Sequence, residues 1–417
     1  MTRFNGRRGF RWVLVVAIIG WAGALRAETR WPRWRGPRGD GHSTETALPV
    51  QWGADAVAWK TDVPGRGQSS PIVWDERIFL TTASEDGLKR SIVCLNRADG
   101  SQLWEQSVPW QGESESLHKM NTWATPSCAT DGKVVIAFFG RAGLHAYTVD
   151  GKHLWSNDLG SFDNPWGVAA CPVLVGDLVI QNGDADTDAF IAAYNKQTGE
   201  LAWRQPRPNH RGWSTPILVE TDKGPELTVN GHAGVTAYDP QTGKQLWFCK
   251  SFNGRGEPTV TPGKGLVYVV NGLSGDVYSI QPGGEGDVTQ SRMAWHTPRK
   301  VGRDLPSPIL IDDYLIVVSM RGVGVCYNAI NGEVIWQDRL GGNYSASPIA
   351  AGGLAYFLAE DGSTVVIKPG AKLEIVARNQ LAPEADEIFR ASPTPCEGQL
   401  LLRSDRALYC IGKRNKG

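Results

Sequence analysis

The chain has 417 residues, among them 49 Gly, 25 Pro and 17 Trp, and its 43 basic and 43 acidic residues leave no net charge. That balance gives no footprint for general binding to nucleic acid or to anionic membrane surfaces. So many turn formers and Trp point away from helical bundles and towards β structure, and periodic Trp marks repeat architectures.

The first segment stands apart. "MTRFNGRRGFR" is basic without an acid, "WVLVVAIIGWAGAL" is apolar, and small residues lead to Ala27. This is the layout of a secretory signal over 1–27, with cleavage expected after Ala24 or Ala27. The apolar run is short for a spanning helix, so no membrane span is expected once the leader is gone. "RRGF" at 7–10 fits a twin-arginine signal, which leaves the export route open. Losing the leader removes five Arg and leaves 38 basic against 43 acidic residues, a charge of −5, in a periplasmic or extracellular protein. No Cys lies near the cleavage positions, which argues against a lipid anchor.

Residues 28–55 read as an N-terminal extension containing "WPRWRGPRGDGHS" (31–43), whose glycines lack the strand–loop–helix context of a phosphate cradle. From 56 to 412 one phrase recurs: "CLNRADGSQLW" (94–104), "AYTVDGKHLW" (146–155), "AYNKQTGELAW" (193–203), "AYDPQTGKQLW" (237–247) and "CYNAINGEVIW" (326–336). A Pro after a small or polar residue opens each unit, at Pro71, Pro126, Pro172, Pro216, Pro258, Pro308, Pro348 and Pro393. The spacing of 40 to 55 residues suits four short strands with their turns, the length of one propeller blade. In the third unit, "PVLV", "LVIQN", "AFIAAYN" and "ELAWRQ" alternate apolar residues between Gly- and Asp-rich turns and predict a four-stranded antiparallel sheet. After Pro393 three strands remain ("SPTPC", "QLLLRS", "ALYCI") before a short tail at 413–417. The orphan strand "AVAWKT" at 56–61 supplies the missing fourth. The prediction is an all-β, eight-bladed propeller over 56–412, closed by its N-terminal strand, with no open sheet edge at the seam.

The pattern resembles the quinoprotein-type, pyrroloquinoline quinone-like propeller repeat, Ala-x-Asp-x-x-Thr-Gly-x-x-x-Trp. Ala193, Thr198, Gly199 and Trp203 match it, as do Ala237, Asp239, Thr242, Gly243 and Trp247. The "WPRWRG" segment is similar to the lead-in of exported bacterial proteins of this kind. The resemblance implies a belt of Trp docking each blade on its neighbour: Trp59, Trp104, Trp155, Trp203, Trp247, Trp295 and Trp336. The seventh unit, "KLEIVARN", carries no Trp, so one docking contact is missing.

Strand order puts the connection into each first strand and the loop between second and third strands at the same end of the ring. Six of the eight connections carry a cation: Arg66, Lys119, Arg211, Arg255, Arg303 and Arg390. Trp123, Trp166, Trp213 and Tyr344 stand among or beside them, and Arg141, His232 and Arg321 face them. Guanidinium forks pair with carboxylates or sulfates and indoles stack on sugar or quinone rings, so this channel mouth is a candidate site for an anionic or ring-bearing ligand, or for a protein partner. "DADTD" (184–188) opens like a calcium loop but has Ala189 and Asn195 where Gly and Glu are needed. Of the seven Cys, Cys94, Cys326 and Cys410 share one slot and read as small core residues. No two show redox or zinc spacing, and whether Cys128 and Cys171 approach each other is left open. Nucleophile and metalloprotease motifs are absent.

The leading expectation is therefore an exported, monomeric, non-catalytic binding scaffold without an assured cofactor. It resembles the scaffold propeller of the outer-membrane β-barrel assembly machinery, minus that family's lipidated Cys. The alternative implied by the resemblance is a quinoprotein dehydrogenase holding pyrroloquinoline quinone and calcium. In it Asp304, kept ionised by Arg303, would serve as the base. Against it stand the short chain and the lack of an adjacent Cys pair. A carbohydrate-binding module is the third reading, on the strength of the Trp-rich mouth.

Overall fold

A computed structural model describes residues 1–2 and 30–413, apart from Ser114, Ser116, Phe252, Asn253, Ser274, Lys300, Val301, Gly302 and Ala385. The expected signal segment and most of the expected tail lie outside the described residues. Eight antiparallel sheets of four strands each form the eight blades of a β-propeller. The third blade comprises Val173–Val175, Leu178–Gly183, Phe190–Asn195 and Leu201–Pro206, within a few residues of the sequence reading. The eighth takes Thr394–Cys396, Gln399–Arg403 and Ala407–Ile411 from the C-terminus and Val57–Asp62 from the N-terminus, with Trp59 opposite Cys410. Apolar residues of adjacent blades interleave, so each core cluster lies between two sheets; Ile136 of the second blade, for example, shares one with Val179 of the third.

The repeated phrase has a repeated mechanical role. In seven of the eight fourth strands a Trp stands opposite a small residue of the third, such as Ala193↔Trp203, Cys94↔Trp104 and Cys326↔Trp336, next to a bulge. Its indole reaches the turn of the next blade. Trp104, Trp155, Trp203, Trp295 and Trp336 donate through Nε1 to Val149 O, Lys196 O, Pro240 O, Ala329 O and Gly370 O at 3.0–3.2 Å. The turn glycine takes the flat side: Gly199 has φ +77°, and a Cβ there would lie 2.7 Å from the Trp155 ring.

Trp59 packs on the Gly100 turn, but its Nε1 has no hydrogen-bond partner among the described residues. The other two departures from the pattern follow from the turn that receives the indole. The fifth blade has no Thr-Gly turn but a longer excursion, in which Gly286–Asp287 pairs in parallel with Gln245–Lys250. Trp247 therefore donates to Glu226 Oε2 in its own blade (2.7 Å), and Gly283 N donates to the same oxygen (3.1 Å). The eighth blade has no third-to-fourth turn at all, because its fourth strand arrives from the other chain terminus. The seventh blade accordingly carries Ala377 opposite Val366, and Asn379 fastens the N-terminal segment by donating to Val50 O (3.0 Å) and accepting from Trp52 N (2.8 Å).

Around the channel the blades are tied by a closed girdle. Ser70 N donates to Ser127 Oγ, Ser127 N to Cys171 Sγ, and Cys171 N to Thr215 Oγ1, at 2.7, 3.2 and 3.0 Å. Thr215 N donates to Thr259 Oγ1, Thr259 N to Ser307 Oγ, and Ser307 N to Ser347 Oγ, at 3.0, 3.0 and 2.9 Å. Ser347 N to Ser392 Oγ (3.1 Å) and Ser392 N to Ser70 Oγ (2.9 Å) close the circle. Six girdle residues precede their Pro, but Ser127 and Thr259 follow theirs, so Pro126 and Pro258 sit two positions earlier in their blades than the other six.

Residues 30–48 close the end of the channel opposite the mouth. Arg30–Trp31 adds a strand inside Ile72–Trp74, Thr130 N donates to Pro32 O (2.8 Å), and Ala350 N donates to Gly41 O (2.9 Å). On the axis Arg35, 1 % exposed, donates to Thr261 Oγ1 (3.2 Å), Asp40 O (2.9 Å) and Pro308 O (2.5 Å).

Candidate functional site at the channel mouth

Above this plug lies a cavity of about 190 Å³. Its floor is the girdle together with Trp34, whose Nε1 donates to Ser392 Oγ (3.2 Å). Its wall follows one rule: the residue two before each girdle residue faces the cavity. These are Gln68, Thr125, Ala169, Trp213, Glu257, Leu305, Ser345 and Arg390, with Trp166 and Arg303 between them.

The sequence candidates separate into three groups. Trp166, Trp213, Arg303 and Arg390 line the cavity, and Arg255 stands over Trp166 and Trp213 at 4.9 and 5.9 Å. Arg303 also lies 5.1 Å over Trp166, and His118 stacks on that ring at 3.7 Å. Burial first, then Arg303, Lys119, Arg390 and Arg255, hold His118 below its usual pKa. The indole surface expected to stack on a sugar or quinone is thus taken up by the chain's own cations and imidazole.

A second group sits outside the cavity. Arg66 pairs with Glu85 (2.9 Å) and Arg211 with Asp186 (2.5 Å), while Lys119 is exposed on the rim. Among the facing residues, Arg141 lies 3.7 Å from Glu115, and His232 stacks on His210 at 3.5 Å. Two of the three "DADTD" carboxylates are similarly engaged, Asp184 with Arg207 (2.6 Å) and Asp186 with Arg211.

Tyr344 and Asp304 require correction. Tyr344 is 1 % exposed and packs edge-on against Phe357 in the core, while its backbone N–H donates to Met320 O. Asp304 is fully buried and pairs with Arg299, not with its neighbour Arg303. Burial outweighs that guanidinium and pushes its pKa up to about 7, so the expectation of a carboxylate held ionised by Arg303 fails.

Arg303 faces Glu257, which the sequence reading passed over. Glu257 Oε1 lies 3.5 Å from Arg303 Nη2 and 3.8 Å from Arg255 Nη1, beyond hydrogen-bond reach, and neither carboxylate oxygen has a hydrogen-bond partner. The side chain is 7 % exposed, and burial, against the two guanidiniums, pushes its pKa up to about 7. It fits because Gly272 leaves its backbone bare: a Cβ there would lie 1.8 Å from Glu257 Oε2. The signal was present in "GEPTV", where Glu stands before Pro258 while a small residue precedes the other seven prolines.

The profile of the family described as outer membrane protein assembly factor BamB matches residues 46–184, 88–272 and 264–372. The chain belongs to this family. BamB from Burkholderia pseudomallei is 24% identical over 322 residues, covering 75% of this chain and 76% of that protein. Tetrathionate hydrolase from Acidithiobacillus ferrooxidans is 25% identical over 301 residues, 66% of this chain, which spans 55% of the hydrolase. Among solved structures, BamB from Moraxella catarrhalis superposes with a TM-score of 0.64 at 17% identity, over 87% of this chain and 98% of that one. A europium-containing methanol dehydrogenase gives 0.68 at 12% identity, over 92% and 98%. These likenesses to solved structures show a shared fold.

The quinone-and-calcium arrangement implied by the dehydrogenase relatives can be tested against the residues present. Calcium takes six to eight hard oxygen ligands, carboxylates foremost. Here Glu257 faces two guanidiniums and Asp304 is held by Arg299, and no group of three His, Cys, Asp or Glu is placed to hold a metal among the described residues. All seven Cys are free. This donor set does not fit the calcium-bound quinone. Nor is any described helix long and apolar enough to cross a membrane.

Proposed function

We propose that this BamB-family propeller is exported and acts as a non-catalytic scaffold, binding through its channel mouth an anionic group on a ligand or protein partner. One observation carries the reading: two guanidinium donors gathered at a single cavity make no hydrogen bond among the described residues. Arg303 Nε and Arg255 Nη1 are buried without hydrogen-bond partners, and Arg303 and Arg390 line the space. Unpaired buried donors are destabilising, by about 1–3 kcal/mol each, unless an acceptor arrives. The far end of the channel is plugged, so the partner approaches from the mouth. Charge-assisted contacts to guanidinium forks set orientation and specificity there.

The test has three parts. Mass spectrometry of the exported fraction from cells making the full chain should find an N-terminus at residue 25 or 28. A photo-crosslinking residue placed at Leu305 should give a discrete adduct that Arg303→Ala removes, while the same residue at Asp99, on the opposite end, should give none. Titration of mature protein with pyrroloquinoline quinone and calcium should leave melting temperature and absorbance unchanged. A saturable shift abolished by Arg303→Ala would instead establish the quinoprotein reading.

A further inference from the structure

The girdle contributes more than a seam. Each of its hydroxyl oxygens accepts a backbone N–H, which leaves the O–H proton to be donated elsewhere. For Ser70, Ser307, Ser347 and Ser392 no acceptor exists among the described residues, and all four line the cavity floor. Above them stand the guanidiniums of Arg303 and Arg390. The cavity therefore presents donors from below and from the side. Against these, one buried acid, Glu257, has two oxygens that make no hydrogen bond. A ligand rich in acceptors satisfies the donors, but as an anion it repels an ionised Glu257 within the same small space.

We propose that the mouth cavity is a proton-coupled oxyanion site, in which a carboxylate, sulfate or phosphate group is held by Arg303, Arg390 and the girdle hydroxyls while Glu257 takes up one proton from solvent. The protonated Glu257 becomes one more donor to the bound oxyanion, and no bond other than that O–H forms or breaks. This deepens the proposed function and rests on the mouth being a binding site.

The groups facing Glu257 support the coupling. Arg255, from its own connection, and Arg303, from the next, favour its ionised form, and burial in the apolar wall opposes them. Behind it Asp304, itself paired with Arg299, lies within electrostatic reach. His118, across Trp166, is held below its usual pKa and so is neutral above pH 7. Arg390 pairs with Glu360 (2.9 Å) on a neighbouring wall. A bound anion adds a negative charge to this set and shifts Glu257 further towards its acid form, so binding consumes a proton and weakens as pH rises. The limit is about tenfold in Kd per pH unit for one proton taken up.

Calorimetric titration of the mature protein with sulfate, acetate and glucuronate, near pH 6.5, 7.5 and 8.5, tests this. Running each titration in two buffers of different ionisation enthalpy counts the protons. The expected result is saturable binding of at least one probe, weakening five- to tenfold per unit above about pH 7.5 with uptake approaching one proton. Glu257→Gln, an isostere that keeps a donor, should bind at least as well at pH 8.5 and lose the pH dependence. Arg303→Ala should bind at least tenfold more weakly. Preference for glucuronate over acetate would assign a sugar acid, and preference for sulfate a sulfate ester; either supports the site. No binding of any probe at about 20 mM, or a pH profile that Glu257→Gln leaves intact, would overturn it. If the anions fail while the Arg303-dependent crosslink persists, this inference falls and the scaffold reading stands; anion binding without any crosslink has the converse meaning.

Discussion

Arginine serves opposite purposes at the two ends of the channel. At the plugged end Arg35 is enclosed, and burial pushes its pKa down to about 10, yet the chain brings it Thr261 Oγ1, Asp40 O and Pro308 O from three separate places and leaves only its Nε unbonded. At the mouth Arg303 and Arg255 share one carboxylate at 3.5 and 3.8 Å, and their side chains make no hydrogen bond among the described residues. A guanidinium given its acceptors by the fold is a fastening. One held in place by a ring and a distant charge, with donors unmet, is a binding group in waiting. The difference lies in the acceptors and not in the residue type.

The largest effect should come from breaking the fastening. Arg35→Ala removes three buried hydrogen bonds, leaving Asp40 O without a donor and Pro308 O with Thr261 Oγ1 alone, and should lower stability by about 3 kcal/mol. Arg303→Ala should change it by no more than about 0.5 kcal/mol, since no hydrogen bond among the described residues is lost. Urea unfolding of the two variants beside the parent measures the contrast, and equal losses would mean that Arg303 fastens the fold as Arg35 does.

The turns at the plugged end offer a finer test. Gly199→Ala places a Cβ against Trp155 at a positive φ and should lose about 2–3 kcal/mol, combining backbone strain with overpacking. Gly176 has φ +57° with nothing within 4 Å, so Gly176→Ala carries the strain alone, about 1–2 kcal/mol. If both losses are equal, the indole is not what the turn glycine accommodates.

At the mouth the corresponding signature is in pH. Glu257 has a folded pKa raised to about 7, above the ordinary carboxylate value, so the native state binds more protons than the unfolded chain in between. The stability gained from that proton is fully present below about pH 4.3 and is lost as pH rises through 7. Glu257→Gln should flatten this segment of the profile. It should match the parent near pH 5 and exceed it by about 2.5 kcal/mol at pH 8, where the parent must bury a charge. Thermal unfolding across that range would show it, and a variant less stable than the parent at pH 8 would mean that the two guanidiniums outweigh burial.

What repeats was legible in the sequence. The Trp-bearing phrase recurs because every blade solves the same docking problem, and the strand borrowed from 56–61 followed from counting strands after Pro393. The mouth was harder to read, because its wall takes one residue from each blade and those residues differ by design of the ring: Gln68, Thr125, Ala169, Trp213, Glu257, Leu305, Ser345 and Arg390 share a position and no chemistry. Proline was an imperfect ruler for that position. Trp123 and Trp213 both stand three before a Pro, yet Trp213 is two before Thr215 and Trp123 four before Ser127. Trp123 therefore lies away from the cavity, against Gly87, and Trp213 lines it. Measured from the girdle hydroxyls, the same sequence marks Glu257 and Arg390 as wall residues. Which loop cations find acids across the rim, as Arg66 and Arg211 do, depends on spatial neighbours that no local pattern encodes.

Arg211 and Arg390 isolate that last dependence with the smallest expected effect. Each pairs with an acid from its own blade or the one before, Arg211 with Asp186 at 2.5 Å and Arg390 with Glu360 at 2.9 Å, and each is partly accessible to water. Screening and side-chain entropy limit such pairs, so either Ala substitution should lower stability by only about 0.5–1 kcal/mol. Their difference is position: Arg390 lines the cavity and Arg211 does not. Arg390→Ala should therefore weaken sulfate or glucuronate binding severalfold while Arg211→Ala leaves it unchanged, both read in the same titration. If Arg211→Ala weakens binding as much, the mouth acts through its summed field and not through the groups in its wall; at high salt the Arg211 effect would then vanish, because screening removes a distant charge and leaves a direct contact largely intact.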